Sequence, residues 1–112
     1  MRVPLLTRRL ILEGPVQVAD GAGGFERGWG VLGTLWAEVV PGAGRETAGE
    51  EVVLAAVAYR ITVRGAPAGA TSRPVPGQRF RDGARVFQIV AVTEFDPGGR
   101  FMTCFCREEV AP

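Results

Sequence analysis

The stretch Ala55–Arg64, with the sequence AAVAYRITVR, carries the clearest secondary-structure signal in this chain of 112 residues. Large apolar side chains occupy every second position: Val57, Tyr59, Ile61 and Val63. The positions between them hold Ala58, Arg60, Thr62 and Arg64. Because successive side chains of a strand point to opposite faces, this alternation predicts a half-buried β-strand with two arginines on its polar face.

The preceding stretch, Val31–Val40 (VLGTLWAEVV), is predicted to be a second strand. It differs because large apolar residues stand on both faces. One face carries Val31, Leu35, Ala37 and Val39, and the other carries Leu32, Trp36 and Val40. A strand of this kind is expected at the centre of a barrel or at a contact between subunits.

Turn signals separate the remaining strand candidates. The predicted strands are Arg8–Glu13, with Val16–Val18 as a continuation after a break at Gly14-Pro15, then Val86–Thr93 and Arg100–Glu108. Asp82-Gly83 indicates a tight hairpin before Val86. Residues 1–112 are therefore predicted to form one all-β domain, a small antiparallel β-barrel of about five to six strands.

Three segments do not follow a strand pattern. Asp20–Gly30 is predicted to be a glycine-rich loop that contains Phe25 and Trp29. Residues 44–54 permit a short helix, although Gly49 weakens that interpretation. Gly65–Gln78 has three prolines and three glycines and is predicted to be a long Pro/Gly-rich loop, the kind that is usually functional or disordered.

The composition argues against an enzyme. Histidine is absent, so the commonest general base and metal ligand is missing. Cys104 and Cys106 have no further cysteine or histidine to complete a zinc site, and we expect them to be reduced and packed in the core. The chain contains no phosphate-binding loop of the required spacing. We therefore predict no catalytic site, no metal and no cofactor.

The charge balance favours neither nucleic acid nor membrane as a binding partner. Thirteen arginines stand against twelve acidic residues, a net charge of +1, whereas phosphate contacts need a basic excess. Arg79-Phe80-Arg81 is similar to single-strand-binding surfaces, but aromatic residues on barrel strands are more often core. No apolar stretch approaches the ~20 residues that span a bilayer.

Taken together, these blocks resemble the head-tail joining proteins of tailed phages, specifically the head-closure or stopper family, including its counterparts in gene transfer agents. The resemblance covers nearly the whole chain, and the order of the blocks carries it. In chain order the blocks are Arg9–Glu13, Asp20-Gly21, Gly23-Gly24, Trp29, Leu35–Val39, Pro41, Gly44, Glu46, Tyr59–Arg64, Asp82-Gly83, Val86–Val92, Asp96-Pro97, Arg100 and Cys104–Glu109. Two features depart from the family pattern: Gly65 stands where the family often has tyrosine, and the loop before the hairpin is long.

The resemblance implies a structural virion protein without a catalytic site. Such subunits form a ring, a hexamer or a dodecamer, between the portal or adaptor and the tail. They retain packaged double-stranded DNA, which passes through the lumen without sequence-specific contact, and they provide the platform on which a tail-terminator or tail protein docks. The expected location is the head-tail neck of a virion or phage-like particle assembled in the bacterial cytoplasm. The alternatives are a tail-terminator or other tail-completion ring protein, and an SH3-like or OB-like binding module.

The residues expected at interfaces come from exposed loops and from the polar or second apolar faces of strands. They are Phe25, Trp29, Trp36, Arg60, Arg64, Pro67, Ser72, Arg73 and Pro74. Arg60 and Arg64 are expected to pair with acidic residues of a neighbouring protein. The loop Gly65–Gln78 is the candidate element for gating the channel or docking a partner.

Overall fold

The structure is a computed structural model that describes residues 2–42 and 56–109. Its strands are β1 (Arg8–Ala19), β2 (Phe25–Pro41), β3 (Ala56–Arg64), β4 (Arg79–Asp82), β5 (Arg85–Glu94) and β6 (Phe101–Glu109). Segment 44–54, for which a short helix was one interpretation, lies outside the described residues. No helix in the described ranges has the length and apolar character needed to cross a membrane.

The strands form a closed antiparallel barrel in the order β1-β2-β3-β6-β5-β4. Strand β3, the stretch with the clearest alternation, pairs with β6 along its whole length. Ring closure depends on a short seam, in which Ile11–Glu13 of β1 pair with Arg79–Arg81 of β4. The predicted all-β barrel is thus confirmed, with six strands in the part of the chain that the structure describes.

The core forms where the apolar faces of the strands meet inside the barrel. Its fully buried large side chains include Leu10, Leu12, Ile61, Val63, Phe80 and Phe87. Tyr59 packs edge-on against Phe87, with ring centroids 5.3 Å apart. Burying each of these side chains stabilises the fold by roughly 1.5–3 kcal/mol. The inward-facing apolar side chains of β3 and its neighbours therefore supply the main stabilisation of the fold.

Strand β6 places its cysteines in this core. Cys104 and Cys106 share the inward face with Met102, and both are buried and unbridged. The predicted core role of the two thiols is confirmed. The other face of β6 points outward, where Phe105 is exposed.

The two apolar faces of β2 have different environments. Ala37 is buried, and Leu35 and Val39 pack against the core. Trp36 lies on the outside of the barrel and is 55% exposed. Val31 was predicted to lie on the same face as Leu35, but Leu35 packs against the core and Val31 is exposed, because the register of the β1–β2 pair shifts between Leu12 and Glu13.

Two predictions about the chain before Gly30 are wrong. Strand β1 does not break at Gly14-Pro15, and Phe25–Gly30 is not loop but the first part of β2. Pro15 is tolerated because β4 pairs with β1 only as far as Glu13, which leaves an open edge. The turn is limited to residues 20–24, because Ala19 and Phe25 on either side of it pair with each other.

Candidate interaction surfaces

The strands β1 and β2 continue past the barrel as a two-stranded β-ribbon, defined here as residues 15–30. Its exposed apolar side chains include Val16, Val18, Phe25 and Trp29, and Phe25, close to the tip, is 66% exposed. Gly28 pairs with Val16 and Gly30 with Gly14, and a Cβ on either glycine would approach a valine methyl group to 3.0–3.1 Å. The glycines therefore serve close packing of the ribbon rather than a flexible loop.

A side-chain-capped turn closes the tip of the β-ribbon. Asp20 accepts hydrogen bonds from the backbone N–H groups of Ala22, at 2.8 Å, and Gly24, at 3.0 Å. These bonds lower the pKa of the Asp20 carboxyl. Gly21 and Gly23 take positive φ angles of 82° and 89°, which favour glycine. The tip thus has a defined shape and keeps a negative charge at neutral pH.

An ion-pair cluster, which we call the Glu13 cluster, joins the base of the β-ribbon to the barrel seam. The two carboxylate oxygens of Glu13 accept bonds from Arg79 Nε at 2.7 Å and Arg81 Nε at 2.9 Å. Burial opposes the charge on Glu13, but the two arginines outweigh it and lower its pKa. The Arg79 guanidinium also lies 4.1 Å from the centre of the Trp29 ring. Phe80 between the arginines is core, so this segment serves barrel closure.

The outer face of the barrel carries an apolar groove beside Trp36. Its lining, which we call the Trp36 groove, consists of Leu6, Thr34, Leu35, Trp36 and Arg64 around a volume of about 560 Å³. Arg64 is the one charged side chain among these residues, and its guanidinium also lies 5.6 Å from the Phe101 ring centre. This groove brings together two of the predicted interface residues, Trp36 and Arg64.

A second groove, the Arg60 groove, is more polar and has a volume of about 430 Å³. Its charged lining residues are Arg2, Glu38, Arg60 and Glu94. Arg2 forms a two-pronged ion pair with Glu38, at 2.7 and 3.0 Å, and lowers the pKa of that carboxyl. Arg60 and Arg64 are both exposed on the outer face of β3, as predicted, but they line different grooves.

The loop 65–78 is held in place by hydrogen bonds within the loop and by bonds to β5. Arg73 donates to the carbonyl of Ala66 at 2.8 Å, and the carbonyl of Gln78 accepts from Ile89 of β5 at 3.0 Å. Pro67 and Ser72 are exposed, whereas Pro74 is fully buried. Pro74 therefore packs the loop onto the domain, and the exposed candidates of this loop are Pro67 and Ser72.

The described residues hold no cluster of metal ligands and no cysteine with a lowered pKa. Ranges 2–42 and 56–109 contain no cluster of three or more metal-ligating side chains. Burial raises the pKa of Cys104 to about 12 and raises that of Cys106 as well, so both stay protonated thiols. What the arrangement offers is contact surface: the β-ribbon, the two grooves and the exposed part of the 65–78 loop.

Sequence reasoning placed Phe25, Trp29, Trp36, Arg60 and Arg64 on the surface, but it missed the Glu13 cluster. The alternation Arg79-Phe80-Arg81 is the signal that could have located it, because it sets two arginines on one face of a strand. Their partner Glu13 is 66 residues away from Arg79 in the chain. Only the barrel register brings the three side chains together.

Comparisons with known proteins agree with a role in assembly. The family model for the phage head completion protein matches residues 1–109. A chain of the solved structure "Virion of native gene transfer agent (GTA) particle" is 55% identical, with a TM-score of 0.80. The match covers 98% of this chain and 100% of that one. No curated protein matches the sequence significantly. The chain belongs to the family of phage head completion proteins.

Proposed function

We propose that this chain is the head-closure, or stopper, subunit of a phage-like particle. Copies of it form a ring between the portal or adaptor side of the head and the tail. The ring retains the packaged double-stranded DNA and provides the platform on which a tail-terminator or tail protein docks. The proposed location is the neck of the virion.

The observation that carries this proposal is the end-to-end match to a chain of a gene transfer agent virion. The 55% identity extends over 98% of this chain and 100% of that chain. Membership of the head completion family supports a structural role at the head in place of an enzymatic one.

The surface chemistry agrees with a protein that is held by other proteins on several sides. Phe25, Val31 and Trp36 are large apolar side chains that are more than half exposed, although the barrel has a well-packed core. Exposed apolar surface that lines a groove, as Trp36 does, favours a contact site. The net charge of +1 agrees with a ring that DNA passes through without sequence-specific contact.

The test is a deletion of the gene in the strain that produces the particles, followed by electron microscopy and measurement of nuclease-protected DNA. Loss of a head-closure subunit should leave heads that package DNA and then lose it, next to separate tails of normal length. The wild-type gene supplied in trans should restore joined particles. Overlong tails beside DNA-filled heads would indicate a tail terminator instead, and normal tailed particles would refute both roles.

Within this proposal the loop 65–78 gates the channel or docks a partner. Because Pro74 is buried, a deletion of the loop would also disturb the domain, and changes at the exposed positions are the better test. We expect a Pro67→Arg/Ser72→Arg variant to melt at the wild-type temperature and to reduce tail joining or DNA retention when it replaces the wild-type gene. If this variant gives wild-type yields of tailed, DNA-filled particles, the loop neither gates the channel nor docks a partner.

A further inference from the structure

The tip of the β-ribbon and the Trp36 groove are two different surfaces of one chain, and both are apolar. The tip presents Phe25, a large ring that the subunit leaves 66% exposed. The groove is lined by Leu6, Leu35 and Trp36 and has a volume of about 560 Å³, which exceeds that of a phenyl side chain. Within the described part of the subunit, the Phe25 ring is thus left exposed and the Trp36 groove is left open.

The charges of the two surfaces are complementary. Asp20 and Glu26 stand at the tip against Arg27, so the tip is negative by one charge. The Asp20 carboxyl has a lowered pKa and stays ionised. Arg64 is the one charged residue that lines the Trp36 groove. In the Arg60 groove, by contrast, Glu38 and Glu94 balance Arg2 and Arg60, so it offers no net attraction to an acidic tip.

The tip cannot reach the groove of its own subunit. Phe25 and Trp36 lie on the same strand β2, eleven positions apart. At ~3.3 Å per residue the separation along the strand is on the order of 35 Å. The elongated molecule, 54 × 38 × 22 Å, agrees with an arm held away from the barrel. Phe25 can therefore enter a Trp36 groove only if that groove belongs to another molecule.

We propose that the β-ribbon of one subunit inserts Phe25 into the Trp36 groove of the neighbouring copy, with Arg64 of that copy facing the acidic tip. A contact between two different surfaces of identical chains is heterologous, and it builds a ring where the rotation between neighbouring copies closes around an axis. This inference rests on the proposed head-closure ring and names the contact that builds it.

Disulfide crosslinking in assembled particles tests the contact. A Phe25→Cys/Trp36→Cys chain is co-expressed with the wild type, so that rings assemble even if the variant alone does not. The native thiols do not interfere, because Cys104 and Cys106 are buried and have raised pKa values. After mild oxidation we expect a ladder of dimers and higher oligomers of this chain. The two single-cysteine variants serve as controls and should give no ladder. Both substituted positions are exposed, so the variants should melt at the wild-type temperature.

The possible outcomes distinguish a failure of the ribbon contact from a failure of the proposed head-closure role. Absence of the chain from purified particles would refute the head-closure role. A chain that is present in particles but gives only monomers from the double-cysteine variant would refute the ribbon contact and leave the role standing. Crosslinks from Phe25→Cys to another head or tail protein would also refute it and would make the ribbon a docking arm for that partner.

Discussion

Gly65 shows how one residue can be fixed by its surroundings. Its N–H donates to the carbonyl of Arg100 at 2.7 Å, and a Cβ at this position would overlap the carbonyl oxygen of Gly99. We expect Gly65→Ala to lower the free energy of unfolding by about 1–3 kcal/mol, the usual cost of forcing extra atoms into a packed site. Chemical denaturation at neutral pH measures this.

Gly33→Ala is the matched control, because nothing lies within 4 Å of a Cβ there and its backbone does not take a positive φ. Its stability should stay within about 0.5 kcal/mol of wild type. Equal losses in the two variants would mean that general strand effects of alanine, rather than the approach of Gly65 to Gly99, determine the result. The sequence revealed Gly65 only as a departure from the family pattern. The physical reason for glycine at this position is its close contact with a turn 34 positions further along the chain.

At the scale of elements, the sequence predicted those strands whose pattern is local. The alternation of Tyr59, Ile61 and Val63 and the turn at Asp82-Gly83 suffice for β3 and the β4–β5 hairpin. The β-ribbon was missed because Gly and Pro normally interrupt strands, whereas here the pairing of β1 with β2 overrides local preference. The grooves could not be predicted, because they depend on side chains from elements that only the barrel register brings together.

Two sets of ion pairs span the β1–β4 seam: Glu13 with Arg79 and Arg81, and Arg8 with Asp82 at 2.7 Å. Glu13 → Gln removes the charge that holds Arg79 and Arg81 across the seam. We expect a loss of about 2 kcal/mol in the free energy of unfolding, since two charge-assisted bonds to a buried carboxylate weaken. Hydrogen exchange should show the loss first in the amides of β4, while those of the β3–β6 pair stay protected.

Glu26 → Gln is the control for this change, because Glu26 is an exposed glutamate of the β-ribbon. It should shift stability by less than about 0.5 kcal/mol and leave the exchange of β4 unchanged. If Glu13→Gln behaves the same way, the Glu13 cluster does not secure the seam, and closure of the barrel depends on its other contacts, among them the buried side chains of Phe80 and Leu12 and the Arg8–Asp82 ion pair.

For the whole molecule, the ionisable groups predict a stability profile that is flat near neutral pH and falls in acid. The chain has no histidine, the side chain that ordinarily titrates near neutral pH, and burial raises the pKa values of both cysteines away from this range. The carboxyls with resolved shifts have lowered pKa values: Glu13, Asp20, Glu38, Asp96 and Glu108. A lowered folded-state pKa contributes stability that is complete above the unfolded value, about 4 for these groups, and is lost as the pH falls through the folded value.

Denaturation midpoints between pH 3 and pH 8 should therefore stay level down to about pH 5 and then decrease, since the unfolded chain binds more protons than the native one. Glu13 → Gln gives an internal check on the cause. It lacks one of the titrating carboxylates, so its deficit relative to wild type should shrink as Glu13 of the wild type becomes protonated. A midpoint that changes markedly between pH 8 and 5.5, or a deficit that stays constant into acid, would contradict this account. In the first case a group other than these carboxylates would control stability near neutral pH, and in the second Glu13 would act through its shape rather than its charge.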